Sequence, residues 1–436
     1  MTDVLSELLP PSEGRHSLSE PDWLQEKRQE AGHAVKELGF PNSGIETWKY
    51  TSLHRLKKVD FRPAEIADST ADTTVMPKIE IDSLKEKTVI FVNGFFRKDL
   101  GTYKNNVAGI KIEPLYNNTN MLEKNQEFIS SYSDDAFAAL NLAAFSDGIS
   151  IEVDDNALIS ETIRLVFIGE HRDPLLRNIK NIIQLGQNAQ LRLIEEYRSG
   201  IDDFGLTNVS TNIVLQKGAT LNHHRLQNEA ISSSQIAKIV ASVEANASYN
   251  SDSIVLGGQL TRLEIDVALT GGLATCRLNG LFSGSGEQHI DHHTTVRHQV
   301  GDTHSEELYR GILDDKSRGV FNGKVIVEKD AQKITAKQAS NNLLLSRTAE
   351  IDTKPELQIY ADDVKCAHGA TIGQLDSAAL FYLRSRGISE QKSRALLIFA
   401  FAEEIIKTIP VDNLRSNLER RFIGHNEMSK LKSEAL

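Results

Sequence analysis

A corner of small residues returns along the middle of this chain at an almost constant interval. It reads Asn188-Ala189-Gln190-Leu191, then Gly218-Ala219-Thr220-Leu221, Asn246-Ala247-Ser248-Tyr249 and Leu273-Ala274-Thr275-Cys276, with the alanines 30, 28 and 27 residues apart. Asp330-Ala331-Gln332 follows 57 residues on, close to two periods, and Gly369-Ala370-Thr371-Ile372 comes 39 later, where the rhythm loosens. Strand-like runs flank the corners, with few prolines and almost no helical stretch. Such a period predicts coils stacked along one axis, each covering the apolar face its neighbour cannot bury alone. A small residue lets the backbone turn at little steric cost. The expectation is a mainly β chain with a solenoid core over 148–375. On periodicity alone, the alternative is a large sandwich with irregular hairpins.

Helical texture flanks the core. Over 1–147 the chain reads as a mostly helical domain with a linker and short strands. Asp22-Trp-Leu-Gln-Glu-Lys-Arg-Gln-Glu-Ala31 runs on from Pro21 with few breakers before Gly39 and Pro41, and the first 60 or so residues read as helical. Residues 62–80 are polar and periodless, hence a linker, and Lys87–Gly94 reads as a strand ending at a turn. Asp134 to Phe145 reads as a capped, alanine-rich helix. The end, 376–436, returns to helix over 376–386, about 389–409 and about 411–423. Its Ala395–Ala402 run is apolar around the whole helix circumference, so something must cover it.

Charge and cysteine usage narrow the class. A formal net charge of −11 argues against nucleic acid or an anionic membrane as the main partner. The eight-residue run Ala395–Ala402 falls far short of the roughly 18 apolar residues of a membrane span. The N-terminus has no basic segment leading into an apolar one, and two cysteines, Cys276 and Cys366, make no disulfide framework. A reducing compartment, the cytoplasm, is expected.

Few residues offer chemistry. Gly319-Val-Phe-Asn-Gly323-Lys324 looks like a phosphate loop, but it has one residue too few between its glycines, and Val325 stands where Ser or Thr would hold magnesium. Five of the thirteen histidines lie together: His289, His292, His293, His298 and His304. Strand alternation puts His289 and His293 with Asp291 on one face, and His292 with His298 on the other. His289 and His293 are weak candidates for a metal, set against a polar ladder or plain solvent exposure. Cys366 and His368 are two apart, so on a strand they share a face, and neighbouring Lys365 would favour the thiolate. Thiolate and imidazole suit iron or an iron–sulfur unit. Two ligands do not complete a site, however, and Cys276 is too distant in sequence to be assumed a third. A structural thiol beside a hydrogen-bonded histidine is the other reading.

These segments together carry a resemblance. His289-Ile-Asp-His-His-Thr-Thr-Val-Arg-His298, Glu307–Leu313, Gly319–Val327, Gln338–Ser346, Ala349–Gly373 and Leu380–Ile388 are similar to the SufB/SufD family of iron–sulfur assembly proteins. Glu46–Leu53 and the alanine-rich helix extend the match across essentially the whole chain. Two cysteines and the His-rich segment lie nearer the SufD branch. The resemblance implies a right-handed parallel β-helix between helical domains, and a scaffold without catalysis of its own. It implies docking to the SufC ATPase through the C-terminal helices, with Leu397, Phe401 and Ile405 as contacts. It also implies a contact with SufB at which His368 and Cys366 meet a transient iron or iron–sulfur cluster, with no stable cofactor on this chain alone and a homodimer in isolation. A stand-alone metal-dependent β-helix enzyme and a structural homodimer are the rival readings.

Overall fold

A computed structural model of the chain describes residues 4–9, 20–70, 86–104, 107–129, 135–409 and 411–423. Sixteen strands follow one another from Ile149 to Gly373. They are β1 (Ile149–Val153), β2 (Leu158–Gly169), β3 (Leu175–Leu185), β4 (Gln190–Ser199), β5 (Leu206–Leu215), β6 (Thr220–Asn228), β7 (Ser234–Val243) and β8 (Ser248–Val255). Then come β9 (Leu260–Leu269), β10 (Thr275–Gly284), β11 (His289–His298), β12 (His304–Leu313), β13 (Arg318–Val327), β14 (Ile334–Leu344), β15 (Glu350–Ile359) and β16 (Val364–Gly373). Among these sixteen, odd strands pair with odd and even with even, in parallel, as two facing sheets. The chain therefore winds as a β-solenoid of about seven turns, 45% strand against 23% helix, and the sandwich reading is excluded.

The recurring corner is the turn from an odd strand to the next even one. Asn188, Gly218, Asn246 and Leu273 take positive φ there, the alanine after each is fully buried, and the Asn188, Gly218, Asn246 and Leu273 amides each donate to the coil above. Asparagine and glycine accept this left-handed backbone readily. The corner missing from the sequence pattern is Asp302-Thr303, where Asp302 takes the positive φ and a buried threonine replaces alanine. Ala370 is no corner. It sits in the middle of β16 and is exposed, so the last predicted repeat mistakes a strand interior for a turn.

Helices cover the outer faces. On the odd sheet lie α1 (Asp22–Leu38) and α2 (Ala136–Ala144), the latter capped by the Asp135 carboxylate on the Phe137 and Ala138 amides. Leu5, Val35, Trp48, Phe137 and Leu140 pack there against Leu176, Leu206, Ile236 and Leu260. Beyond α1 the first 60 residues are not continuous helix: only short turns occur at Glu46–Trp48 and Leu56–Lys58. The expected linker is partly structured, because Arg62–Pro63 pairs with Leu175–Leu176 and Ile66–Thr70 forms a turn; 71–80 lies outside the described residues. Glu86–Val92 joins the even sheet in parallel beside β2.

On the even sheet sit α4 (Glu390–Ile406) and α5 (Asp412–Ile423), and α3 (Ser377–Ser385) packs against α4. Ala402, Ile405, Ile406, Ile409, Leu414 and Leu418 bury against Ile194, Leu226, Ile254, Leu281 and Ile312. Among the described residues no helix is long and apolar enough to cross a membrane.

Candidate functional site

Among the described residues the last coil is open. β16 is paired on one side only, with β14, and nearly all of it is exposed. Alternation turns Cys366 and His368 toward the interior between the two sheets, at the coil beside whose free edge a further coil would stand. In register, Cys366 lies beside Ala336 and His368 beside Gln338. Cys366 is half-buried and His368 exposed. The two predicted site residues thus stand together at an uncovered end of the solenoid, not walled inside it.

Lys365 does not serve as expected. It points to the opposite face, and burial raises the Cys366 thiol above the ordinary thiol range, against a smaller opposite pull from the Ala336 backbone. Cys276 belongs to the same interior column, which runs Cys276, Ser305, Ala336, Cys366. Three strand spacings of about 4.8 Å put it roughly 14 Å from Cys366, too far for a shared ligand set. Its thiol is buried and pushed well up by that burial and by Glu307.

The column behind His368 is polar. It runs Leu278, Glu307, Gln338, His368. Glu307 is fully enclosed, accepting from Thr294 Oγ1 at 2.6 Å and from Gln338 Nε2 at 3.3 Å. Burial pushes its carboxyl up to about 7 despite those two bonds. Sequence reading missed this pair, since an alternating strand pattern does not say which polar residues face the interior when the interior itself is polar.

The histidine cluster divides as alternation requires. His292 faces inward between Phe282 and Tyr309, its ring pulled down to about 3 by burial, and His298 is hydrogen-bonded to Thr303 and Ser305. On the outer face, Thr51 donates to Asp291 at 2.6 Å and lies 3.0 Å from His289, while His293 stands 2.9 Å from Asp291. Arg262 also bonds Asp291, and although burial opposes ionisation, His293 and Arg262 hold this carboxylate well below the usual range. His289 and His293 are thereby tied into a network beneath the N-terminal segment, with Trp48 stacked on Arg262. Among the described residues no group of three or more His, Cys, Asp or Glu side chains is arranged to hold a metal ion.

The phosphate-loop look-alike has a packing explanation. A Cβ on Gly323 would meet Gln338 Nε2 at 2.2 Å, and one on Gly319 would meet Ile351 at 2.7 Å. Both glycines make room inside the coil.

The predicted docking residues separate. Ile405 is fully buried against the even sheet, so it fastens α4 and is no surface contact. Phe401 packs partly on the same cluster and stacks under Arg310. Leu397 remains half-exposed and outside that cluster. On the C-terminal helices the exposed large apolar groups are instead on α3, which has no buried residue: Phe381 is 74% and Tyr382 56% exposed. Sequence periodicity passed over them because a helix-length run of mixed apolar residues ordinarily signals burial.

Comparison with known proteins adds two matches to family descriptions: "SUF system FeS cluster assembly, SufBD core domain" over residues 167–401, and "SufBD protein N-terminal region" over 12–165. An iron–sulfur cluster assembly SufBD family protein of Synechocystis is 30% identical over 92% of this chain and 91% of its own length. The iron–sulfur cluster assembly protein SufD of Escherichia coli is 29% identical, covering 93% and 95%, and that of Bacillus subtilis 24% identical, covering 92% and 93%.

Proposed function

The chain belongs to the SufBD family of iron–sulfur cluster assembly proteins, and from that membership we propose that it works as a SufD-type scaffold subunit. In this reading it has no active site of its own and acts in the cytoplasm with a SufB-type subunit and the SufC ATPase. The observation that carries the reading is the open terminal coil, with Cys366 and His368 on its inward side. An unpaired strand edge is a template for another β-strand. A second solenoid seated on β15 and β16 would complete the coil and bring its own side chains within reach of these two. Thiol and imidazole together supply half of a four-coordinate site, and the partner supplies the rest. Iron and sulfide are then cargo, built transiently into a cluster at the seam, and this chain alone holds no lasting cofactor.

SufC docks in this proposal on α3 and the outer side of α4, where Phe381, Tyr382 and Leu397 offer apolar surface. ATP-driven movement of that subunit would pull on the helices and strain the seam. The decisive experiment is His368→Ala in the co-expressed complex. The complex should still assemble, while cluster formation falls by at least about tenfold, the scale of a lost ligand-shell contact. Cluster formation at the unsubstituted rate would remove His368 from the site.

A further inference from the structure

Among the buried polar atoms left without a partner near the seam, one lies directly behind His368. The Gln338 side chain reaches across the coil interior to the place a side chain on Gly323 would occupy. Its Nε2 donates to Glu307, whose other oxygen is taken by Thr294. With its nitrogen turned to the Glu307 carboxyl, the amide directs its oxygen elsewhere. That oxygen, Oε1, is buried and has no hydrogen-bond partner among the described residues. Leaving a buried carbonyl without a donor is destabilising, so an acceptor in this state points to a donor still to come. The next residue of the column is His368, one strand spacing away in register and open to solvent on its far side.

We propose that Gln338 is a positioning residue for His368, accepting the ring N–H on Oε1 when the coil end is covered and so fixing which ring nitrogen carries the proton. A neutral imidazole has one donor and one acceptor nitrogen, and binding the donor inward leaves the lone pair of the other directed to the seam. Only that lone pair can take a metal ion, so the bond selects the ligating tautomer and aims it. Glu307 and Thr294 hold the amide, Gly323 gives it room, and none of the three touches the cargo. The inference rests on the seam reading above.

The test uses the full chain in its co-expressed complex, labelled with 15N-histidine and read by solid-state NMR; the His368 signal is assigned by its loss in His368→Ala. One neutral tautomer should dominate. Gln338→Leu should give both tautomers and slow cluster formation from ferrous iron and sulfide by about tenfold. Gly323→Ala, which pushes the amide from the opposite strand, should do the same without altering the Gln338 chemistry. A single tautomer that persists in Gln338→Leu, or a mixture in the unsubstituted complex, overturns the positioning role. Either result leaves the seam reading standing, whereas undiminished cluster formation in His368→Ala removes His368 from it.

Discussion

Glu307 shows how one enclosed carboxyl couples the interior to pH. Burial raises its pKa from 4.5 to about 7. Between those values the folded state keeps a proton that the unfolded chain has released, so stability falls as pH rises through the window. At 1.36 kcal/mol per unit, the loss between pH 4.5 and 7 is roughly 3 kcal/mol at most. Glu307→Gln keeps the shape without the charge, so its denaturant midpoint should pull ahead of the unsubstituted protein from pH 5 to pH 8. Parallel pH curves for the two would show that the carboxyl does not titrate there. The two cysteines differ in the same physical way. Cys366 is half-buried with a raised thiol, and Cys276 is fully enclosed. At pH 7 iodoacetamide should modify Cys366 more slowly than a free thiol and faster as pH rises, whereas Cys276 should react only after unfolding; mass spectrometry after timed quenching reads both. The shared inward face of Cys366 and His368 was legible two residues apart on a strand. The column joining Cys366 to Cys276 was not, because it exists only in the inter-coil register.

At the scale of elements, caps and breakers marked the helices well. Asp135, Asp376 and Ser389 each accept from the first turn of the helix that follows, as their types predict. Which face each helix turns inward was less legible, because Ala395–Ala402 is apolar on every side. The sheet decides it: Ile405 and Ala402 meet Ile254, Leu281 and their neighbours, and Leu397 does not. Ile405→Ala should therefore cost about 2–5 kcal/mol in the attachment of α4. Hydrogen exchange should show α4 and α5 loosened while β3 to β11 keep their protection. Phe381→Asp with Tyr382→Asp should change stability by no more than about 0.5 kcal/mol, since neither is buried. The same double variant should lose SufC on co-purification, and retention of SufC would move the docking surface off α3. Arg62–Pro63 escaped sequence reading for another reason: two residues carry no period, and only the partner Leu175–Leu176 makes them a strand.

For the molecule as a whole, the fold is a stack whose middle coils are paired on both sides and whose last coil is not. Its strands are hydrogen-bonded to the adjacent turns, so protection should follow position in the stack. In the free chain the β16 amides should exchange faster than those of β14, and in the complex they should slow by at least about tenfold. Unchanged exchange on assembly would place the partner somewhere other than the coil end. By itself the sequence determined the winding, since a small, left-handed corner every 27–30 residues admits few other chain paths, and it determined that a thiol and an imidazole share one face near the end of that path. Only the tertiary structure decided that this face is uncovered, that Glu307 and Gln338 stand behind it, and that Ile405 is spent on internal packing. Those facts depend on which strand lies beside which and on what no strand covers, and neither relation is written in any local stretch of residues.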